Sequence, residues 1–166
     1  MTKQAGTYEH PSDLGLWARA DSLPELWEAL GEAVAEHVCP ARLVSEAQTR
    51  HIRLEAENAE MLAVDFLSEL LRLVQLEKFL VRRVRVSRAG QAAATSLPAN
   101  NPDQLMVARA TNNPDQLMAG LEATVTGETL DPARHALGPE IKAVTYHNLF
   151  VGQEEGRWSA RVLLDL

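Results

Sequence analysis

Arg157-Trp158-Ser159-Ala160-Arg161-Val162-Leu163-Leu164-Asp165-Leu166 closes the sequence as RWSARVLLDL. Side chains of a β-strand point alternately to opposite faces. Trp158, Ala160, Val162, Leu164 and Leu166 therefore share one face. Arg157, Ser159, Arg161, Leu163 and Asp165 share the other. Asp165 thus falls on the more polar face, beside the carboxylate of Leu166. Upstream, Gly152 to Gly156 is polar and glycine-bounded, and Ile141 to Val151 is again strand-like. The last two strands should form an antiparallel hairpin.

Working back along the chain, Leu121 to Gly127 reads as a strand, and so does Phe79 to Arg88, with Val84 and Val86 inward and Arg83 and Arg85 outward. Thr49 to Ala56 alternates Ile52, Leu54 and Ala56 against His51, Arg53 and Glu55. Leu14 to Ala20 alternates too. Two helices interrupt these strands. Ser22 can cap the first, with Glu25 three residues on as in a capping box and Pro24 in the first turn. Leu26, Trp27, Leu30, Val34 and Val38 follow at helical spacing, and Pro40 stops the run. Asn58 can cap a second helix to about Glu77. Its core face holds Leu62, Phe66, Leu67, Leu70, Leu71 and Val74, and its polar stripe holds Asp65, Ser68, Glu69, Arg72 and Gln75.

The pattern predicts an α+β two-layer sandwich, with about six mostly antiparallel strands and two helices on one face. The 166 residues, 46% of them hydrophobic, suit a single domain over 1–166 with its own core. One segment stands out. Asn100-Asn101-Pro102-Asp103-Gln104-Leu105-Met106 recurs as Asn112-Asn113-Pro114-Asp115-Gln116-Leu117-Met118. Two copies are too few for a solenoid. A surface-loop insertion at about 90–118 is expected, since loops accept added length at little thermodynamic cost.

The net charge of -7 argues against coating nucleic acid by bulk electrostatics, but leaves room for a local basic patch. Val81-Arg82-Arg83-Val84-Arg85-Val86-Ser87-Arg88 is such a run; it is a solvated strand face, or a contact for RNA phosphates or an acidic partner. Cys39 is the single cysteine, so an intrachain disulfide is excluded, and zinc-type Cys/His spacing is absent. No stretch is long enough to span a bilayer, and MTKQAGTYEH has no apolar signal region. A cytoplasmic protein with no membrane partner is expected.

Candidate chemistry gathers at a few polar residues. Asp13 lies in Tyr8-Glu9-His10-Pro11-Ser12-Asp13-Leu14-Gly15. Turn acids often bond only their own backbone, and a strand-end acid such as Asp165 is often simply solvated. Where Asp13, Asp165 and the Leu166 carboxylate meet, like charges raise one another's pKa or recruit a cation. An all-oxygen site of that kind suits Ca²⁺ or Mg²⁺. Lys142 and His147 are acid/base candidates, with an exposed cation and a packed imidazole as the plainer alternatives. His10 stands likewise between a structural and a functional role. No Ser-His-Asp signature or glycine-rich phosphate loop is present.

Four stretches in order resemble the archease family: YEHPSDLG at Tyr8 to Gly15, EMLAVDFLSELL at Glu60 to Leu71, IKAVTYH at Ile141 to His147, and the closing VLLDL. The resemblance covers nearly all of the chain from Tyr8. Pro11 and Ser12 depart from the family's usual Thr-Ala, and the segment from about Gly90 to Met118 is long for the family.

The resemblance implies an accessory protein, not an enzyme. It would activate a GTP- and Mn²⁺-dependent tRNA-splicing RNA ligase, promoting guanylylation of the ligase and its multiple turnover. RNA would be met indirectly, through that partner. It further implies a metal site at Asp13, Asp165 and Leu166, with calcium the usual ion and Mg²⁺ or Mn²⁺ as alternatives. Lys142, His147 and His10 rank as secondary functional candidates. A second reading is a chaperone-like modulator of a tRNA methyltransferase or another RNA-modifying enzyme. A third is an independent metal-dependent hydrolase using His10, Asp13, His147 and Asp165, which would need a placed acid/base beside an open metal position.

Overall fold

The structure is a computed structural model that describes residues 2–92 and 118–166. The residues between Ala92 and Met118, which hold the duplicated heptapeptide and most of the expected loop insertion, lie outside it. Element order is β1 (Gln4–His10), β2 (Asp13–Ala20), α1 (Leu23–Val38), β3 (Gln48–Ala56), α2 (Ala59–Glu77), β4 (Phe79–Ala92), β5 (Met118–Thr129), β6 (Ala143–Glu154) and β7 (Arg157–Asp165). A short 3₁₀ turn, Ala41–Leu43, follows α1.

The α+β class with two helices and antiparallel strands holds. The strands divide into two sheets, ordered β1-β2-β7-β6 and β3-β5-β4. Both helices touch both sheets: α1 packs on β2 and β4, and α2 on β6, β3 and β4. The strand additional to the sequence reading is β1. Gln4 to His10 shows no apolar alternation, and most of it is exposed. It is an edge strand held by its backbone ladder to β2, so hydrophobic patterning carries no signal for it.

The helix starts follow the local chemistry. Ser22 Oγ accepts from the Glu25 N–H at 3.4 Å, which makes the N-cap, and donates to the Glu25 carboxylate at 2.9 Å, so Glu25 meets the cap through its hydroxyl and not through the backbone N–H of a full capping box. Asn58 Oδ1 accepts from the Met61 N–H at 2.8 Å. Between the helices Trp27 meets Phe66 edge to face, with centroids 6.1 Å apart. Such a pair adds about 0.5–1.5 kcal/mol beyond its buried area.

The expected polar stripe of α2 differs at Glu69, which is buried. Arg72 donates to both its oxygens, at 2.9 and 2.8 Å, and also to Glu77 at 3.0 Å. A buried carboxylate needs that pairing. Cys39 is buried beside Val44 and Leu80, and burial pushes its thiol up, as suits an inert packing residue.

Candidate functional site

The β1–β2 hairpin turns on Pro11 and Ser12. Proline fixes its own φ near -65°, and Ser12 sits at φ 69°. That sequence of angles is the one type II turns use at their two central positions. The turn sets His10 opposite Asp13. The row then continues across the sheet: Asp13 is paired with Asp165, and Asp165 with Ala143. Directly paired residues of an antiparallel ladder project to one face, with Cβ atoms about 4.5–5.5 Å apart. Leu14, Leu16 and Ala18 alternate toward the core. The row therefore lies on the opposite, outer face.

Other groups close in on this row. His10 Nδ1 is 3.4 Å from Asp13 Oδ2, too misaligned for a hydrogen bond, and Nδ1 is buried without a hydrogen-bond partner. The Lys142 main-chain N–H donates to the Asp165 carbonyl at 2.8 Å. Strand β6 leaves its ladder between Thr145 and Phe150, with Asn148 in the left-handed region at φ 52°. Within that irregularity His147 is exposed, and its ring centroid lies 6.3 Å from that of His10. Thr145 Oγ1, one row in, is a second buried polar atom without a partner.

Each candidate from the sequence thus reaches one corner of the four-stranded sheet. Asp13, Asp165 and His10 share a row, His147 approaches through its ring, and Lys142 approaches through its main chain. Leu166 follows Asp165 directly, and its side chain packs against the core. The sequence reading missed Tyr8. Its ring lies face-on over Gly15, so that a Cβ there would meet three ring atoms at 2.2–2.5 Å. Gly15 pairs with both Tyr8 and Leu163, and Leu163 is 1% exposed although it points outward. A glycine inside an apolar strand was the available signal, since it marks close approach of another group.

The charges decide what this corner can do. Among the described residues, Asp13 has only His10 within ion-pair range and Asp165 has no ion-pair partner. Most other buried or half-buried acids are tied to arginine or lysine, as Glu154 is to Arg161 by bonds of 3.0 Å. Like charges directly opposite in a ladder are destabilising. An oxygen-liganded divalent cation between the two carboxylates would remove that repulsion. No three His, Cys, Asp or Glu side chains converge as a ligand set among the described residues. The two carboxylates would thus need main-chain oxygen or solvent to complete a coordination shell.

The model of the Archease protein family matches residues 6–166. The archease of Pyrococcus abyssi is 28% identical over 162 residues, 96% of each chain. The archease of Methanosarcina mazei is 25% identical over 169 residues, 100% of each chain. The solution structure of Methanobacterium thermoautotrophicum protein 1598 shares the fold, with a TM-score of 0.69 at 23% identity over 98% of each chain. Among the described residues no helix is long and apolar enough to cross a membrane.

Proposed function

The chain belongs to the archease family, and from that premise we propose that it is a cytoplasmic accessory protein that activates a GTP- and Mn²⁺-dependent tRNA-splicing RNA ligase. In this reading the ligase performs the chemistry. The accessory protein promotes ligase guanylylation and repeated turnover through protein contact.

The observation that carries the reading is the direct pairing of Asp13 with Asp165. Two unneutralised carboxylates on adjacent strands are costly to hold together unless a cation is to be shared. Asp13, Asp165 and a main-chain oxygen of Leu166 would hold it. All are hard oxygen donors, which favours Ca²⁺, with Mg²⁺ or Mn²⁺ as alternatives. When bound, the ion supplies positive charge able to stabilise phosphate oxygens. The chain's own residues do the positioning. The Pro11–Ser12 turn fixes Asp13, and the Lys142 N–H anchors the main chain of Asp165. His10 and His147 line the approach.

A multiple-turnover RNA ligation assay tests this, with limiting ligase, GTP and Mn²⁺. Wild type should stimulate product formation, and folded Asp13→Ala and Asp165→Ala proteins should not. Stimulation by all three would discard the carboxylate mechanism and keep the activator. No stimulation by any, with a matched ligase, would shift the reading to a chaperone-like modulator of an RNA-modifying enzyme.

A further inference from the structure

The basic run on β4 is not used by the carboxylate corner, and its geometry is specific. β4 carries two register shifts, between Val81 and Arg83 and between Val86 and Arg88. Simple alternation would put Arg88 on the face opposite Arg83 and Arg85. The second bulge re-aims it. Arg83, Arg85 and Arg88 now pair with Thr126, Thr124 and Glu122 of β5, and those pair in turn with Thr49, His51 and Arg53 of β3. Three arginines of an edge strand thus stand in file on the outer face of the three-stranded sheet, and all three are exposed.

Among the described residues, Arg83 and Arg88 hold only loose ion pairs and Arg85 holds none. Arg72, Arg134, Arg157 and Arg161 each bond a carboxylate at 3.1 Å or less. By contrast, Arg83 stands 3.4 Å from Glu46, Arg53 3.4 Å from Glu122, and Arg88 3.9 Å from Glu122. None of these contacts meets hydrogen-bond geometry, and Arg85 has no acidic partner among the described residues. Forked guanidinium donors left open in this way match phosphate oxygens.

We propose that the outer face of β4, through Arg83, Arg85 and Arg88, binds the phosphate backbone of single-stranded RNA. A strand rise of about 3.4 Å per residue sets Arg83 and Arg85 about 7 Å apart, a regular ladder for a polymer with one charge per unit. A peptide adding to the edge of β4 is disfavoured. The outward N–H groups of Val84 and Val86 already donate to Glu32 and Glu28, at 3.4 and 3.0 Å. A ligand here is therefore gripped by side chains and not by the sheet ladder. Beyond that edge Arg83 and Arg85 also line a groove of about 860 Å³ between β4, β1 and α1; Glu32 and Glu36 line it too, so it offers room for bases and not for phosphates. The face supplies contacts without sequence readout.

Fluorescence anisotropy with a short fluorescein-labelled single-stranded RNA tests this on the protein alone, so the outcome is independent of the ligase assay. Wild type should bind at low salt, with log K falling against log salt at a slope of about -2 for three phosphate contacts. The Arg83→Ala/Arg85→Ala/Arg88→Ala protein should bind about tenfold or more weakly with an unchanged circular dichroism spectrum. Arg85→Ala alone should flatten the slope by about 0.7. Absence of binding by wild type at low salt, or equal binding by the triple variant, would overturn the proposal. Displacement by poly-glutamate as effective as by unlabelled RNA would overturn it in favour of an acidic protein partner.

Discussion

Asp13 faces Asp165 across the β2–β7 ladder as a direct cross-strand pair, and neither carboxylate meets a lysine or arginine among the described residues. Like charges so placed cost on the order of 0.2–1 kcal/mol. In chelator, Asp165→Asn should therefore stabilise the protein by up to about 1 kcal/mol. With Ca²⁺ at a hundred times its Kd, wild type should gain about 2.7 kcal/mol, and the variant little. Thermal denaturation with and without Ca²⁺ reads both effects. A wild type indifferent to Ca²⁺, Mg²⁺ and Mn²⁺ would remove the cation site.

Tyr8 and Gly15 should behave as a coupled pair. A Cβ at position 15 would lie 2.2 Å from the Tyr8 ring, so Gly15→Ala must push that ring aside and uncover Leu163. A cost of about 1–3 kcal/mol is expected. In a Tyr8→Ala background the ring is already gone, and the same substitution should cost less. A double-mutant cycle by urea denaturation should give a coupling of at least about 0.5 kcal/mol.

Gly127 is constrained by backbone, not by a side chain. A Cβ there would sit 1.8 Å from the Leu80 carbonyl oxygen, in the ladder beside the first bulge of β4. No rotamer relieves that contact. Gly127→Ala should cost about 3 kcal/mol, more than Gly15→Ala, with the loss seen in urea midpoints.

Glu128 should give the fold an acid-sensitive component. The Arg134 guanidinium, then the Ser45 N–H and His135, hold its carboxylate at about 2, below the ordinary 4.5. His135 is tied in on both sides: its Nδ1 accepts from the Asp131 N–H at 2.8 Å, and its Nε2 lies 3.0 Å from Glu128. A carboxyl whose folded pKa is depressed stabilises the fold above its unfolded pKa, and that contribution fades as pH falls through the folded value. Glu128→Gln should lower Tm at pH 7. The gap from wild type should narrow between pH 4.5 and 2. A gap independent of pH would assign the effect to packing.

The local elements and the identity of the candidate residues are legible in the amino-acid order alone. Both helix caps form as their side chains predict, because an N-cap is a contact between residues three apart. Five of the strands announce themselves by alternation or by the glycine-bounded hairpin. The Leu14–Ala20 strand is also legible, although its start at Asp13 is set by the turn. The rest depends on contacts between residues far apart in the chain. β1 has no apolar face and exists because β2 offers it a ladder. The division into two sheets is set by strand pairing between distant segments, and both helices pack on both sheets. The approach of Asp13 to Asp165 spans most of the chain, and it depends on a register that one residue of slippage would reverse. The bulge that turns Arg88 into file with Arg83 and Arg85 is likewise invisible to alternation, because it exists only in the pairing of β4 with β5.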